Sequence, residues 1–512
     1  MRSEAEQVGL QPEGCPPSAV GAPAADGAPA EGGVVRESLD ASAVPAAGLT
    51  TLGILRDAGR QSFLVGGFVR DSLLGAPAHD LDVATDALWY QARELFLERG
   101  YQVLNTGVRH GTITVLVDGR HIEVTTFRTD GTYSDHRRPD SVRFVSNIED
   151  DLARRDFTVN AMAWSPETGL IDPFGGRRDL EAGVVRAVGD PERRFDEDAL
   201  RIMRAVRFSS KLGFLIDGET SEAVHRLVRN LAHVARERVA TEYDGIVCGR
   251  GAVQALRSYP DVVAEAVPPI ADMVGFDQLS RWHCHDVWEH CLHALEALDG
   301  SASRLLRHVT LLHDIGKPGS FTLGKDGHGH FYRHEELGAQ MLRSALENLR
   351  WRKSDVDYAC CLVRFHDHRI DPSPRGVLRM LHKIASSFPG AEAVAQDVFS
   401  DLLALKHADA VAHAPSSVPQ RLRELAAVER TFSQIVAENK AFRLNDLLID
   451  GRDVMAAGFS AGPVVGSVLR SALRAVIDGE VPNERHALLA YVATLGGSGG
   501  SDVSARPQSR DS

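Results

Sequence analysis

"FLVGGFVRDSLLGAPAHDLDVAT", Phe63 to Thr85, puts two adjacent glycines, an arginine and an Asp-x-Asp pair within one short stretch. The apolar run ahead of Gly66 and Gly67 reads as a buried strand, and "FVRDSLLG" as a short helix closed by Gly75 and Pro77. Strand, glycine turn and helix let backbone N–H groups approach phosphate. Arg70 lies in the first turns of that helix, where a guanidinium can hold phosphate through two parallel bonds. "HDLDVAT" reads as a second strand. Residues two apart on a strand share a face, so Asp80 and Asp82 repel each other unless a cation lies between them. Mg²⁺ takes oxygen ligands and completes its shell with substrate phosphates. Taken singly, the glycines are a plain turn and the aspartates an exposed one. Together they read as a site for a nucleoside triphosphate and Mg²⁺.

The chain of 512 residues has room for about two to four domains. No apolar run approaches the length of a membrane span, so no membrane partner is expected. Residues 1–46, rich in Ala, Pro and Gly and without a signal peptide's apolar segment, read as a disordered tail, and residues 496–512 read likewise. Six cysteines fall in no C-x-x-C pattern, and Cys360 and Cys361 are adjacent. That excludes a zinc ribbon or disulfide framework and fits reduced thiols in the cytoplasm. A formal charge of −13 excludes a non-specific nucleic-acid coat but leaves room for a local basic groove.

Residues 60–175 alternate short strands with helices. "TITVLVDGRHIEVTTF" reads as a hairpin turning at Asp118-Gly119. From about residue 190 strand signals vanish and helical periodicity takes over. Pro268-Pro269 suggests a boundary, and "HAPSSVP" (His413 to Pro419) suggests a linker. The expected fold is an α/β head over residues 47–190 and an all-α neck over 191–268, then a histidine-rich bundle over 269–412 and a C-terminal helical region over 413–495.

Three further constellations carry chemistry. Glu123, in the second hairpin strand, is placed to join the aspartates as a third carboxylate, though alone it reads equally as a solvent-facing residue. In "LARRDFTVNAM", Arg155 is a candidate for triphosphate or sugar, against the plainer reading of a helix start with a capping aspartate. In "DEDALRIMRAVRF", Asp198, Arg201, Arg204 and Arg207 recur every third residue, while Leu200, Ile202, Met203 and Val206 form an apolar side. The row slants across the polar half of a helix. An Asp beside an Arg offers acceptor and donors together, as side chains do when they read base edges. The plain alternative is an ion-paired surface.

"GGFVRDSLLGAPAHDLD", "EVTTFRTDGTYSDHRRPDSVRF", "RRDFTVNAMAW", "IDPFGGRRDL" and "EDALRIMRAVRFSSKLGF" resemble, in order, the motifs of the bacterial-type (class II) CCA-adding tRNA nucleotidyltransferases, members of the polymerase-β-like superfamily. The resemblance is strong over residues 50–215 and continues more weakly to about 490. It implies an α/β nucleotidyltransferase head in which Asp80 and Asp82 hold Mg²⁺ and Gly67 and Arg70 touch the triphosphate; Gly66, in the same turn, is a further nucleotide-binding candidate. It also implies that Asp198 and Arg201 act as a protein template for CTP and ATP, with Arg155, Arg204 and Arg207 close by, and that tRNA is the acceptor. Bacterial poly(A) polymerases share much of this head, but "GVRHGTITV" resembles the tRNA-directed type. The intact stretch "TDGTYSDHRRPDSVRF" resembles enzymes that add complete CCA.

"HDVWEHCLHAL", "LLHDIGKP", "HEELGAQ", "FHDH" and "ALKHADA" supply His290, His313, Asp314, His334, His366 and Asp409. Adjacent His-Asp with further histidines on other helices is a bundle-core metal pattern. It resembles the HD superfamily of metal-dependent phosphohydrolases, which implies an HD domain with one or two divalent ions such as Mn²⁺ or Ni²⁺. An HD fold kept as scaffold is the plainer reading. The expected activity is template-independent addition of CMP, CMP and AMP to tRNA. The alternatives are poly(A) polymerase and an RNA-binding HD regulator with an inactive head. Oligomeric state is not legible.

Overall fold

The structure is a computed structural model, and it describes residues 35, 39–78, 80–131, 142–280 and 282–497. The described residues form two compact units. One holds those up to Phe276 together with Ala345–Trp351, and the other holds Asp277–Ser344 and those from Arg352 onward.

The first unit is built on β1 (Ser62–Val65), β2 (Leu81–Thr85), β3 (Gln102–Gly107), β4 (Thr112–Val117), β5 (Arg120–Thr126), the pair β6 (Arg128–Asp130) and β7 (Val142–Phe144), β8 (Ala163–Ser165) and β9 (Gly169–Ile171). A seven-stranded sheet runs β3-β4-β5-β2-β1-β8-β9. Its pairs are antiparallel apart from β2 with β5, which run parallel. The apolar run of β1 is buried at every position, so both faces of the strand are covered. Helices α1 (Ala46–Asp57), α2 (Gly67–Leu73), α3 (Trp89–Glu98), α4 (Ile148–Ala153) and α5 (Gly176–Ala182) accompany it. One core joins Phe63, Val65, Ala84, Phe127, Leu152 and Ala163. Asp118 and Gly119 both take positive φ, 49° and 74°, the geometry of the tight turn expected there.

The tail assignment needs one correction. Asp40 caps a short 3₁₀ turn at Ala41–Ala43, and Leu39 and Val44 are buried, so structure begins ahead of residue 46. A hydrophobic pair inside a polar, small-residue stretch supplies the anchor that composition averaged away. The rest of residues 1–46, and most of 496–512, lie outside the described residues, as does most of the stretch read as a family loop between Asp130 and Val142.

The neck helices α6 (Pro191–Glu197), α7 (Leu200–Leu212), α8 (Gly218–Leu227) and α9 (Arg236–Val247) follow, then α10 (Ala252–Ser258), α11 (Pro260–Ala266) and α12 (Ile270–Met273). A two-residue parallel pair, β10 (Val184–Val185) with β11 (Leu215–Ile216), fastens the neck to the head, an element too short for periodicity to reveal. A Cβ at Gly245 would lie 2.6 Å from the Cδ of Arg207, so glycine lets the Arg207 stem cross α9.

The second unit holds α13 (Val287–Glu296), α14 (Arg304–Leu312), α15 (Lys317–Ser320), most of α16 (His334–Asn348), α17 (Lys353–Phe365), α18 (Pro374–Ala385) and α19 (Ala391–Val411). A hairpin of β12 (Phe321–Leu323) and β13 (Gly329–Phe331) interrupts the helices. Beyond them come α20 (Val418–Ala437), α21 (Gly451–Ala456), α22 (Pro463–Ile477) and α23 (Arg485–Gly497). The expected linker at His413 to Pro419 is corrected: His413, Ala414 and Ser417 are buried, and α20 already starts at Val418.

Candidate functional site

In the head, the parallel register sets Asp82 directly opposite Glu123. Asp80 is exposed and precedes β2. Burial, then the neighbouring Glu123 carboxylate, pushes the Asp82 carboxyl up from 3.8 to about 6; Asp80 adds to the rise and Arg155 opposes it. The three carboxylates are not drawn as a trio within 4.8 Å of one another, whereas histidine groups elsewhere among the described residues are. An all-oxygen donor set with one acid held half-protonated at mildly acid pH still fits Mg²⁺, which needs only one or two carboxylates plus phosphate.

Gly66 caps α2 with φ 70°, and a Cβ there would sit 2.9 Å from Arg155 Nη1 and 4.0 Å from Asp82 Oδ2. Only glycine satisfies both that backbone and that approach. Arg155 reaches Asp151 at 3.3 Å, and its Nε is buried without a hydrogen-bond partner. Arg70 differs from the sequence expectation. It is 3% exposed and already grips Asp71 through Nε at 2.7 Å and Nη2 at 2.9 Å, with Nη1 on Asn160 Oδ1 at 2.5 Å.

The neck row is also altered. Asp198 is not on a helix: its backbone is extended (φ −142°, ψ 102°) between α6 and α7. Its Oδ1 accepts from Leu200 N at 3.1 Å and its Oδ2 from Arg238 Nη2 at 3.2 Å. Arg201 is buried, and its Nη1 donates to Glu197 Oε2 at 2.8 Å. Arg204 places Nε and Nη2 on Asp156 Oδ2 at 2.9 and 2.6 Å, and Arg207 pairs with Glu242. Burial alone would raise the Asp156 carboxyl, but Arg204 and the Asn160 amide outweigh it and hold it near about 2. The guanidiniums of Arg70, Arg204 and Arg207 lie 5.2, 5.4 and 4.3 Å from the centre of the Phe208 ring. The row is therefore an internally paired lattice joining neck to head, not an open surface. Apart from Glu197, four residues before Arg201, its acidic partners come from distant segments, which a helical pattern read locally cannot show.

In the second unit His290, His313, Asp314, His334, His366 and Asp409 meet around one carboxylate. Asp314 Oδ2 lies 3.5 Å from His290 Nε2 and 3.3 Å from His313 Nε2. Its Oδ1 lies 3.5 Å from His334 Nε2 and 3.4 Å from His366 Nε2. Asp409 Oδ1 closes the first half, 3.0 Å from His290 Nε2 and 3.5 Å from His313 Nε2. Each ring's Nδ1 turns to a backbone carbonyl: His313 to Thr310 at 2.8 Å, His334 to Phe331 at 2.9 Å, His366 to Val363 at 2.6 Å and His290 to Ala412 at 3.3 Å. In a neutral ring that bond leaves the Nε2 lone pair for a metal; at His313 burial is outweighed by the Asp314 carboxylate, which holds the imidazole well above its ordinary value. Burial lowers the pKa of His290 and His334 and so keeps them neutral. His313 Nε2 is buried with no hydrogen bond. These residues fit divalent metal in two halves that share Asp314.

The Poly A polymerase head-domain family matches residues 62–186, the HD-domain family 282–414, and the tRNA nucleotidyltransferase domain 2 family 404–492. The CCA-adding enzyme of Lactiplantibacillus plantarum is 31% identical over 85% of this chain and 92% of its own length. This chain belongs to the CCA-adding enzyme family. The CCA-adding enzyme of Leuconostoc mesenteroides is 43% identical over 46% of the chain, an alignment that spans 60% of that enzyme. Among solved structures, the Bacillus stearothermophilus CCA-adding enzyme in complex with CTP is 29% identical, with a TM-score of 0.60 over 88% of this chain and 97% of that one. The Thermotoga maritima CCA-adding enzyme complexed with tRNA shares the fold at 20% identity and a TM-score of 0.54, covering 90% of this chain and 97% of that one.

Several residues at the sites of this family member escaped the sequence reading. Asp156, Asn160, Glu197 and Glu242 hold the arginines. Lys317 lies 2.7 Å from Asp314 Oδ2 and donates to Gln278 Oε1 at 2.8 Å. His413 places Nδ1 on the Asp409 carbonyl at 2.7 Å. The i, i+4 spacing of Asp409 and His413 was the available signal for the last of these.

Proposed function

We propose that this chain transfers CMP, CMP and AMP in turn from CTP and ATP to the 3′ end of tRNA, releasing pyrophosphate, and that it acts in the cytoplasm. The in-register pair Asp82 and Glu123, with Asp82 pushed up to about 6, carries the reading, because closely set acids are the mark of a cation site. Asp80, Asp82 and Glu123 hold Mg²⁺. When bound, that ion activates the 3′-hydroxyl and stabilises the departing pyrophosphate. Gly66 and Gly67 keep the backbone open beside Arg155 for the triphosphate, and Arg70 joins by exchanging Asp71 for phosphate. Asp198 accepts from the amino group that cytosine and adenine share, while Arg201 donates to the adjacent ring nitrogen. Arg204 and Arg207 keep the neck seated on the head.

The domain limits of the sequence reading, head 47–190, neck 191–268, HD domain 269–412 and a C-terminal tRNA-binding region 413–495, are adjusted in this proposal: the head starts by Leu39, the neck runs to Phe276 and the HD domain reaches Ala414. The test offers tRNA ending in the discriminator base, in C and in CC, with each triphosphate separately. Incorporation of C, C and a single A supports the reading, whereas long A tails return the poly(A) alternative.

A second activity has its own observation. The imidazoles around Asp314, each with Nδ1 on a carbonyl, favour a metal-dependent phosphohydrolase in the HD domain. Protein loaded with Mn²⁺ or Ni²⁺ is expected to hydrolyse 2′,3′-cyclic phosphates or phosphomonoesters. Failure on both would leave the domain a scaffold.

A further inference from the structure

Arg238, on α9, has no part in the nucleotide reading above. Its Nη2 donates to Asp198 Oδ2 at 3.2 Å, yet its Nη1 is buried with no hydrogen-bond partner among the described residues. A guanidinium is a fork of strong donors, and a buried donor left empty is an expense that proteins rarely carry. Here the empty donor stands beside the carboxylate that selects the base. Asp198 itself is held from two sides, with Oδ1 facing the start of α7 and Oδ2 facing α9.

The chemistry of the two bases then separates them. Around the amino group of adenine, N1 lies on one side and N7 on the other, and both are acceptors. Around the amino group of cytosine, N3 is an acceptor but the opposite neighbour is C5–H. In the pose proposed above, with Asp198 on the amino group and Arg201 at the Watson–Crick nitrogen, the flank of the amino group left over is N7 in adenine and C5–H in cytosine.

We propose that Arg238 is an adenine-specificity residue: its free Nη1 donates to N7 of the incoming ATP, a contact CTP cannot make. The proposal rests on the base-reading role of Asp198 for its geometry. It gives a single fixed site a means of accepting both bases while holding adenine by one bond more, with no rearrangement of Asp198.

The experiment compares ATP with 7-deaza-ATP, in which N7 is replaced by C–H, on tRNA ending in CC, and CTP on tRNA ending in C. Wild-type protein is expected to favour ATP over 7-deaza-ATP by about tenfold in kcat/KM, the scale of one lost hydrogen bond. Arg238→Met, which keeps the stem and removes the donors, is expected to erase that preference and to lower ATP use about tenfold more than CTP use. Equal use of ATP and 7-deaza-ATP by wild-type protein overturns the proposal, and so does a preference that survives in Arg238→Met. An equal loss for ATP and CTP in that variant also overturns it and leaves Arg238 as a clamp on Asp198 alone. If Arg238→Met fails to fold, the wild-type comparison still decides. Asp198→Ala separates the two readings. Unchanged ratios among the four nucleotides in that variant defeat base selection by Asp198, while a wild-type preference for ATP over 7-deaza-ATP would still place a donor at N7.

Discussion

Asp82 and Glu123 face each other in register across β2 and β5, the parallel junction of a sheet otherwise joined antiparallel. On the proposed function, removing an acid from this pair, or Asp80 beside it, removes a ligand of Mg²⁺. Asp80→Ala or Asp82→Ala is expected to lower incorporation of both C and A by ~10³ or more, because metal-ion stabilisation is worth several kcal/mol. Binding of tRNA in a filter assay should persist. Near wild-type transfer by either variant in Mg²⁺ would remove the carboxylate site.

The raised pKa of Asp82 has a stability consequence with a definite sign. The native carboxyl titrates near about 6 and the unfolded one near 3.8, so native protein holds the extra proton between those values. Metal-free stability therefore falls as pH rises from about 4 to 6, by about 1–2 kcal/mol once partial exposure is allowed for. Asp82→Asn should melt higher than wild type at pH 7 in chelator and coincide with it near pH 4. Added Mg²⁺ should raise the wild type and not the variant. Identical melting curves at pH 7 would show that the acids do not strain the head.

Asp198→Ala is expected to relax selection, with UTP and GTP gaining about one to two powers of ten on CTP and ATP in relative kcat/KM. Uracil and guanine turn a carbonyl toward the position where Asp198 waits for an amino group. A uniform loss for all four nucleotides with a lower Tm would make Asp198 a structural cap, the role its bond to Leu200 N already gives it.

Glu197→Ala leaves the buried Arg201 guanidinium without its carboxylate. Uncompensated buried charge costs about 3–5 kcal/mol; with one backbone carbonyl from Arg194 and one from Arg154 remaining, the lower end is expected. Glu197→Gln should recover part of it. Chemical denaturation measures this directly, and a change under 1 kcal/mol, an order-of-magnitude threshold, would mean the pair is not formed in solution.

In the HD domain, the two halves sharing Asp314 predict a stepwise metal count. Elemental analysis of Mn²⁺-loaded protein should give two ions per HD domain for wild type, one for His334→Ala and none for Asp314→Ala, with CCA addition largely retained in each. Equal losses in both variants would make the centre a single site.

The parts legible in the sequence were those whose chemistry is local. The strand of Asp82 was legible from its apolar neighbours, although Asp80 lies just ahead of it, and Asp118-Gly119 announced itself by the one turn that pair favours. Glu123 required only that a predicted hairpin lie beside a predicted strand. What was not legible is reciprocity. Arg204 and Arg207 read as an exposed row because their partners, Asp156 and Glu242, lie on other segments. Nothing local says that Asp71 turns back to pair with Arg70, so that contact was not legible either. His413 was assigned to a linker because the prolines and serines after it outweighed one buried ring.

The β2–β5 junction also orders events in time. An antiparallel neighbour can be reached through a tight turn, but β5 reaches β2 only after the chain has run out through β3 and back through β4. Closing that loop of about forty residues carries an entropic penalty before any contact repays it. The acids that repel one another are thus brought together by a non-local pairing that needs β3 and β4 in place between them. The proposed Mg²⁺ site is therefore expected to gain affinity only once β2 through β5 have all been made and paired.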